Sequence, residues 1–69
     1  MIKDTRKKLK ELAASAPQKP GVYFWIGKNE EILYVGRATS LKNRLNQYFQ
    51  KNISPRIAEM VSLAKNLTY

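Results

Sequence analysis

The sequence predicts an α/β (α+β) domain in which helices flank a small antiparallel sheet. The expected order is α-β-β-α-α, with one more strand beginning where the chain stops. Three observations predict it. Two β-branched and aromatic runs, Gly21-Val-Tyr-Phe-Trp-Ile26 and Glu31-Ile-Leu-Tyr-Val-Gly36, flank the turn-like Gly27-Lys-Asn-Glu30 and read as a hairpin. Apolar residues recur at helical spacing before and after that hairpin. Capping residues stand at the start of each helical stretch. With 69 residues and 8.0 kDa there is room for one small domain. A chain of this size buries only roughly 60% of the surface its unfolded form exposes.

The first helix is expected over residues 4–15. Asp4 or Thr5 is placed to accept orphan backbone N–H bonds at its start. Leu9, Leu12, Ala13 and Ala16 form one narrow apolar stripe, Arg6, Lys7, Lys8 and Lys10 cover the rest, and Pro17 and Pro20 end the helix. A basic amphipathic helix lying on lipid is the alternative, and the stripe is poor in the large side chains it requires. In the hairpin, Val22, Phe24 and Ile26 alternate with Tyr23 and Trp25. Both faces are largely apolar, so helices are expected on both sides of the sheet.

A second helix is expected over residues 40–50, capped by Thr39 or Ser40, with Leu41, Leu45, Tyr48 and Phe49 as its buried stripe. At helical spacing Arg44 lies beside Tyr48 at the edge of that stripe and points toward the sheet, where a fixed cation calls for an anionic partner. A third helix is expected over residues 54–66. Ser54 is its cap, and Pro55 sits at the first helical position, where its missing N–H costs nothing. Ile57, Met60, Val61 and Ala64 form its apolar stripe, Asn66 is a possible closing residue, and Leu67-Thr68-Tyr69 begins a strand.

Composition excludes several chemistries. There is no Cys and no His, so a disulfide framework, a zinc finger, a thiol nucleophile and an imidazole base are all ruled out. Thirteen Lys and Arg against five Asp and Glu give +8. The excess is local: residues 37–56 carry Arg37, Lys42, Arg44, Lys51 and Arg56 with no acid. Such a stripe suits a polyanion, nucleic acid first and an acidic membrane surface second. The longest unbroken apolar run, residues 22–26, is far short of the roughly 20 residues that span a bilayer. The N-terminus has no apolar h-region, and a cytoplasmic location is expected.

One constellation is more specific than pattern. Gly21-Val-Tyr23 is followed by Tyr34-Val-Gly36, then by Arg37, and then by Arg44 within Leu-Lys-Asn-Arg-Leu-Asn-Gln-Tyr-Phe49. This resembles the GIY-YIG nuclease family, with Val in place of the middle Ile of both triplets, and within it the branch that serves bacterial nucleotide excision repair. The resemblance covers about residues 9–66. It implies a DNA endonuclease domain that hydrolyses a phosphodiester on the 3′ side of a lesion, with UvrA and UvrB as its damage-loading partners.

Mapped onto this sequence, the resemblance makes Tyr34 the group that activates water and Tyr23 its helper. Arg37, where this branch usually has Lys, touches the scissile phosphate. Arg44 holds that phosphate through its transition state. Gly36, Lys42 and Lys51 join Arg37 and Arg44 in binding DNA, with Gly36 letting backbone approach phosphate. Fixed guanidinium charge suits a phosphoryl transition state, and nearby cations or a metal-bound water ease proton transfer to a phenol whose ordinary pKa is about 10. Outside the resemblance, the tyrosines read as strand aromatics packed on a helix and the arginines as surface charge.

The resemblance also implies a divalent metal, Mg2+ or Mn2+, held by a glutamate on a helix after the third strand. None of Asp4, Glu11, Glu30, Glu31 and Glu59 matches that position. The expectation is therefore a fragment, incomplete at its C-terminus, that keeps the phosphate-binding half of the site, binds no metal securely and cuts weakly or not at all. A non-catalytic nucleic-acid-binding module using the same basic groove is the alternative. With so few strands, an oligomer or a strand swap through the exposed sheet edge is also expected.

Overall fold

In the computed structural model, which describes residues 2–69 and side chains from residue 5 onward, the elements run α1 (Ile2–Ala14), β1 (Gly21–Ile26), β2 (Ile32–Ala38), α2 (Leu41–Gln47), α3 (Pro55–Leu63) and β3 (Asn66–Thr68). The α+β architecture and the element order are as expected. The strand foreseen only as a beginning is already paired. Trp25 faces Leu67 across β1 and β3, which run antiparallel, and the sheet order is β2-β1-β3. The hairpin register sets Tyr23 opposite Gly36 and Trp25 opposite Tyr34, with an irregularity between Trp25 and Ile26. The turn closes with Glu30 at φ 62, and the Asn29 N–H donates to the Glu31 carboxylate at 2.7 Å.

Local signals hold at the two later helices. Ser40 Oγ accepts from the Asn43 N–H at 3.4 Å, and Ser54 Oγ accepts from the Ile57 N–H at 3.2 Å with Pro55 in the first turn. Three expectations shift. Helix α1 already runs from Ile2, so Thr5 lies within it and does not cap it; the Asp4 side chain is outside the described residues. Helix α3 ends at Leu63 with Ala64 as its cap, and Asn66 instead opens β3, its side-chain oxygen accepting from the Leu67 N–H. Pairing with β1 accounts for this change, because a strand partner satisfies backbone groups that one more helical turn would have satisfied internally.

The core is a single cluster on one face of the sheet. Leu9, Ala13 and Ala16 from the α1 end, Leu41, Leu45 and Tyr48 from the α2 end, Val61 and Ala64 from the α3 end, and Leu67 of β3 surround Tyr23 and Trp25. The expectation of helices on both faces is not met by the described residues. Val22 and Val35, on the other pleat, are 42% and 50% exposed. The large aromatics decide this: Tyr23 and Trp25 offer the greater area to bury, and all three helices pack on them. Among the described residues no helix is long and apolar enough to cross a membrane.

Trp25 is wholly buried at the centre of this cluster, in ring contact with Tyr48 and Phe49 at 5.1 and 6.0 Å between centroids. Trp25→Ala is expected to cost about 3–5 kcal/mol, and Leu63→Ala, on an exposed face, to stay within about 0.5 kcal/mol, both read from urea denaturation midpoints.

Candidate active site

The hairpin brings two phenols side by side because Tyr23 and Tyr34 share one pleat of adjacent strands. Tyr23 pairs with Gly36 and Tyr34 with Trp25, which leaves the two tyrosine rings on the diagonal, 6.3 Å apart between centroids. Gly36 makes this possible. A Cβ there would overlap the Cζ and Oη of Tyr23 and come within 2.8 Å of its Cε1. Gly36 is thus the floor on which the Tyr23 ring lies, a packing role that differs from the backbone approach to phosphate expected of it.

Tyr23 is also held at its far end. Its Oη lies 2.8 Å from the Oη of Tyr48 in a buried hydrogen bond, with the rings 5.9 Å apart and nearly edge-on. Burial is the main reason the Tyr48 phenol sits well above its usual pKa; the hydrogen bond to Tyr23 and the proximity of Tyr23 and Tyr34 add to it. Tyr48 therefore stays protonated and keeps a hydrogen to share with Tyr23. The two phenols of the hairpin differ in access: Tyr23 is 2% exposed and Tyr34 is 43% exposed.

A cleft of about 340 Å³ opens beside them. It is lined by Tyr23, Tyr34, Arg37 and Arg44, the four residues expected to carry chemistry, together with Gln47, Tyr48, Ile53, Ser54 and Ile57. Arg37 reaches it from the opposite pleat at the free edge of β2, since its strand partner is Val22. Arg44 comes from α2 and donates to the Gln47 side chain at 3.4 Å. Among the described residues no carboxylate lines the cleft. Lys42 and Lys51 are exposed and do not line it, so the basic residues expected in one groove are divided.

The residue that sequence reading missed is Tyr48. Its place one helical turn after Arg44 was visible, but a tyrosine in an apolar stripe carries no sign that its hydroxyl will meet another phenol. Gln47 and Ser54 gave no signal beyond polarity and a cap.

Two tyrosines on neighbouring antiparallel strands, with arginines at the strand edge and on the next helix, form a hairpin-borne basic cleft of the arrangement that the GIY-YIG resemblance implies. The model of the UvrC-like GIY-YIG domain matches residues 19–69, and the chain belongs to that family. It is 48% identical over 65 residues to the UvrABC system protein C of Treponema denticola, covering 94% of this chain and 10% of that protein. Against the same protein of Alkaliphilus oremlandii the identity is 54% over 56 residues, 78% of this chain and 9% of the relative. The chain thus spans about a tenth of the length of these relatives.

Among solved structures it resembles the GIY-YIG N-terminal endonuclease domain of UvrC from Thermotoga maritima bound to its catalytic divalent cation, magnesium. The TM-score is 0.82 and the identity 29%, over 90% of this chain and 67% of that one.

A hard cation of that kind takes several oxygen ligands, carboxylates foremost. Glu11, Glu30, Glu31 and Glu59 all lie away from the cleft, and the described residues include no cluster of three or more metal-ligating side chains. The described residues do not by themselves make a metal site.

Gly36→Ala is expected to push the Tyr23 ring off the strand and to lower stability by about 1–3 kcal/mol in urea denaturation. Tyr48 also ties stability to pH. The unfolded chain loses this proton from about pH 10 upward while the folded chain keeps it, so the contribution is whole below pH 10 and declines above it. Denaturation midpoints between pH 8 and 11 should fall more steeply for the native chain than for Tyr48→Phe.

Proposed function

We propose that this chain is the phosphate-gripping part of a DNA endonuclease site of nucleotide excision repair, which hydrolyses one phosphodiester on the 3′ side of a lesion and works with UvrA- and UvrB-type partners. The observation that carries the reading is the cleft itself: one solvent-reachable phenol, Tyr34, and two guanidinium groups, Arg37 and Arg44, meet in a space that no acid among the described residues lines.

Each residue has a defined task in that reading. Arg37 contacts the scissile phosphate from the strand edge. Arg44 offers a planar, permanently charged fork to the phosphate oxygens and stabilises the extra charge of the transition state. Tyr34, the accessible phenol, acts in its phenolate form: it takes the proton of the attacking water as the new P–O bond forms, the P–O bond to the leaving oxygen breaks, and that oxygen takes a proton from solvent water. Tyr23, fixed by Gly36 beneath and Tyr48 beyond, orients Tyr34 and the water near it. Mg2+ or Mn2+ in a complete domain supplies charge neutralisation at the phosphate. Its carboxylate ligand is not among the described cleft residues, so the 69 residues by themselves bind DNA and cut it little.

The lack of an acid in the cleft also favours a second reading, a non-catalytic module that grips the nucleic-acid backbone through the same groove.

Nicking of supercoiled plasmid in Mg2+ or Mn2+ separates these readings. The 69-residue chain is expected to nick weakly or not at all. A domain-length protein continuing into its native downstream sequence is expected to nick, and to lose about 10²–10³-fold in rate with Arg44→Ala and comparably with Tyr34→Phe, while Lys28→Gln in the hairpin turn leaves the rate unchanged. A domain-length protein that never nicks supports the binding module, and one indifferent to Tyr34→Phe and Arg44→Ala overturns the site assignment.

A further inference from the structure

Three of the basic side chains outside the cleft, Arg6, Lys10 and Lys42, lie together. At about 3.6 residues per turn, Arg44 and Gln47 share the flank of α2 that faces the cleft, while Lys42, Asn46 and, in the following turn, Phe49 share the other. That second flank packs along α1. The Asn46 side chain donates to the Ala13 carbonyl at 3.1 Å, the Lys42 N–H donates to the Pro17 carbonyl at 3.1 Å, and the Arg6 guanidinium lies 5.5 Å over the Phe49 ring. These contacts run the two helices antiparallel and fix the facing side of α1. Lys10, one turn after Arg6, falls on the same side and is exposed, as are Arg6 and Lys42. The result is a seam carrying Arg6, Lys10 and Lys42. Glu11, the one acid among the described side chains of α1, lies further around the helix, and residues 41–54 carry no acid.

The seam and the cleft thus stand on opposite sides of one helix, and a helix with its side chains is about 10–12 Å across. That matches the width of the major groove of B-DNA, about 12 Å. We infer that the α1–α2 seam is a second phosphate-backbone contact, holding the uncut strand of a DNA duplex while the cleft on the far flank of α2 holds the strand to be cut. This rests on the nuclease reading for the word "cut", but the grip on both backbones does not depend on cutting. Lipid is the weaker occupant because the seam presents no row of large exposed apolar side chains to enter a membrane; its one large ring, Phe49, is half-buried beneath Arg6.

Fluorescence anisotropy of the 69-residue chain with a labelled 20-base-pair duplex, and with one of its strands alone, tests this. Removing two phosphate contacts with the double substitution Lys10→Gln and Lys42→Gln is expected to flatten the duplex salt slope by about 1.8 and to weaken duplex binding about tenfold at 0.1 M salt. Single-strand binding should stay within about twofold, because one strand already occupies the cleft. Arg44→Gln should weaken both ligands, and Lys28→Gln neither. Should the double variant melt differently from the native chain, the two single variants carry the test, each flattening the duplex slope by about 0.9.

Equal losses on duplex and single strand, or no loss on either, overturn the inference. So does a loss confined to vesicles of phosphatidylcholine and phosphatidylserine, which assigns the seam to lipid. A domain-length protein that nicks normally but shows no duplex-specific loss refutes the seam alone. A chain that shows the loss but never supports nicking refutes the nuclease reading alone.

Discussion

The structure depends on how one ring is held. Tyr23 lies across Gly36 on the neighbouring strand and ends in a hydrogen bond to Tyr48 from the second helix. That single side chain joins the hairpin to α2, fixes the distance between the strand that carries Tyr34 and the helix that carries Arg44, and closes the inner wall of the cleft. A buried hydroxyl pair of this kind is costly to leave unmade, so the hairpin and helix have one favourable arrangement.

The same constraint divides labour between two similar residues. Burial makes Tyr23 part of the core, and the edge strand leaves Tyr34 open to solvent. Tyr48, kept protonated chiefly by its burial, holds the hydroxyl of Tyr23 and packs on Trp25. With neither His nor Cys in the chain, the cleft presents phenols and guanidinium groups. The placement of a few aromatic rings therefore matters more here than in a site with an imidazole base.

A chain of this size has little core to spare, and it uses that core for the site. The residues that bury Trp25 and Tyr23 are also those that set the cleft and seat α1 against α2. Tyr23 and Tyr48 belong both to that cluster and to the cleft wall. The other pleat of the sheet, with Val22 and Val35 about half exposed, contributes Arg37 to the cleft and adds none of its own residues to the fully buried cluster.

The sequence by itself specifies the elements, the starts of α2 and α3, and four of the nine residues that line the cleft. Those depend on local chemistry: strand alternation, helical spacing, Ser40 and Ser54 at helix starts, and two tyrosine triplets at a telling separation. Gly36 was legible as a special position, but its reason was not, because the ring it admits comes from another strand. Only the tertiary structure decided that all three helices cover one face, that Asn66 starts a strand, and that Tyr48 belongs to the site. It also decided that Lys42 parts company with Arg44, two residues away on the same helix. Periodicity says that they diverge, but only the packing of α1 along one flank says what each then faces, because a partner that arrives from elsewhere in the chain leaves no mark on local spacing.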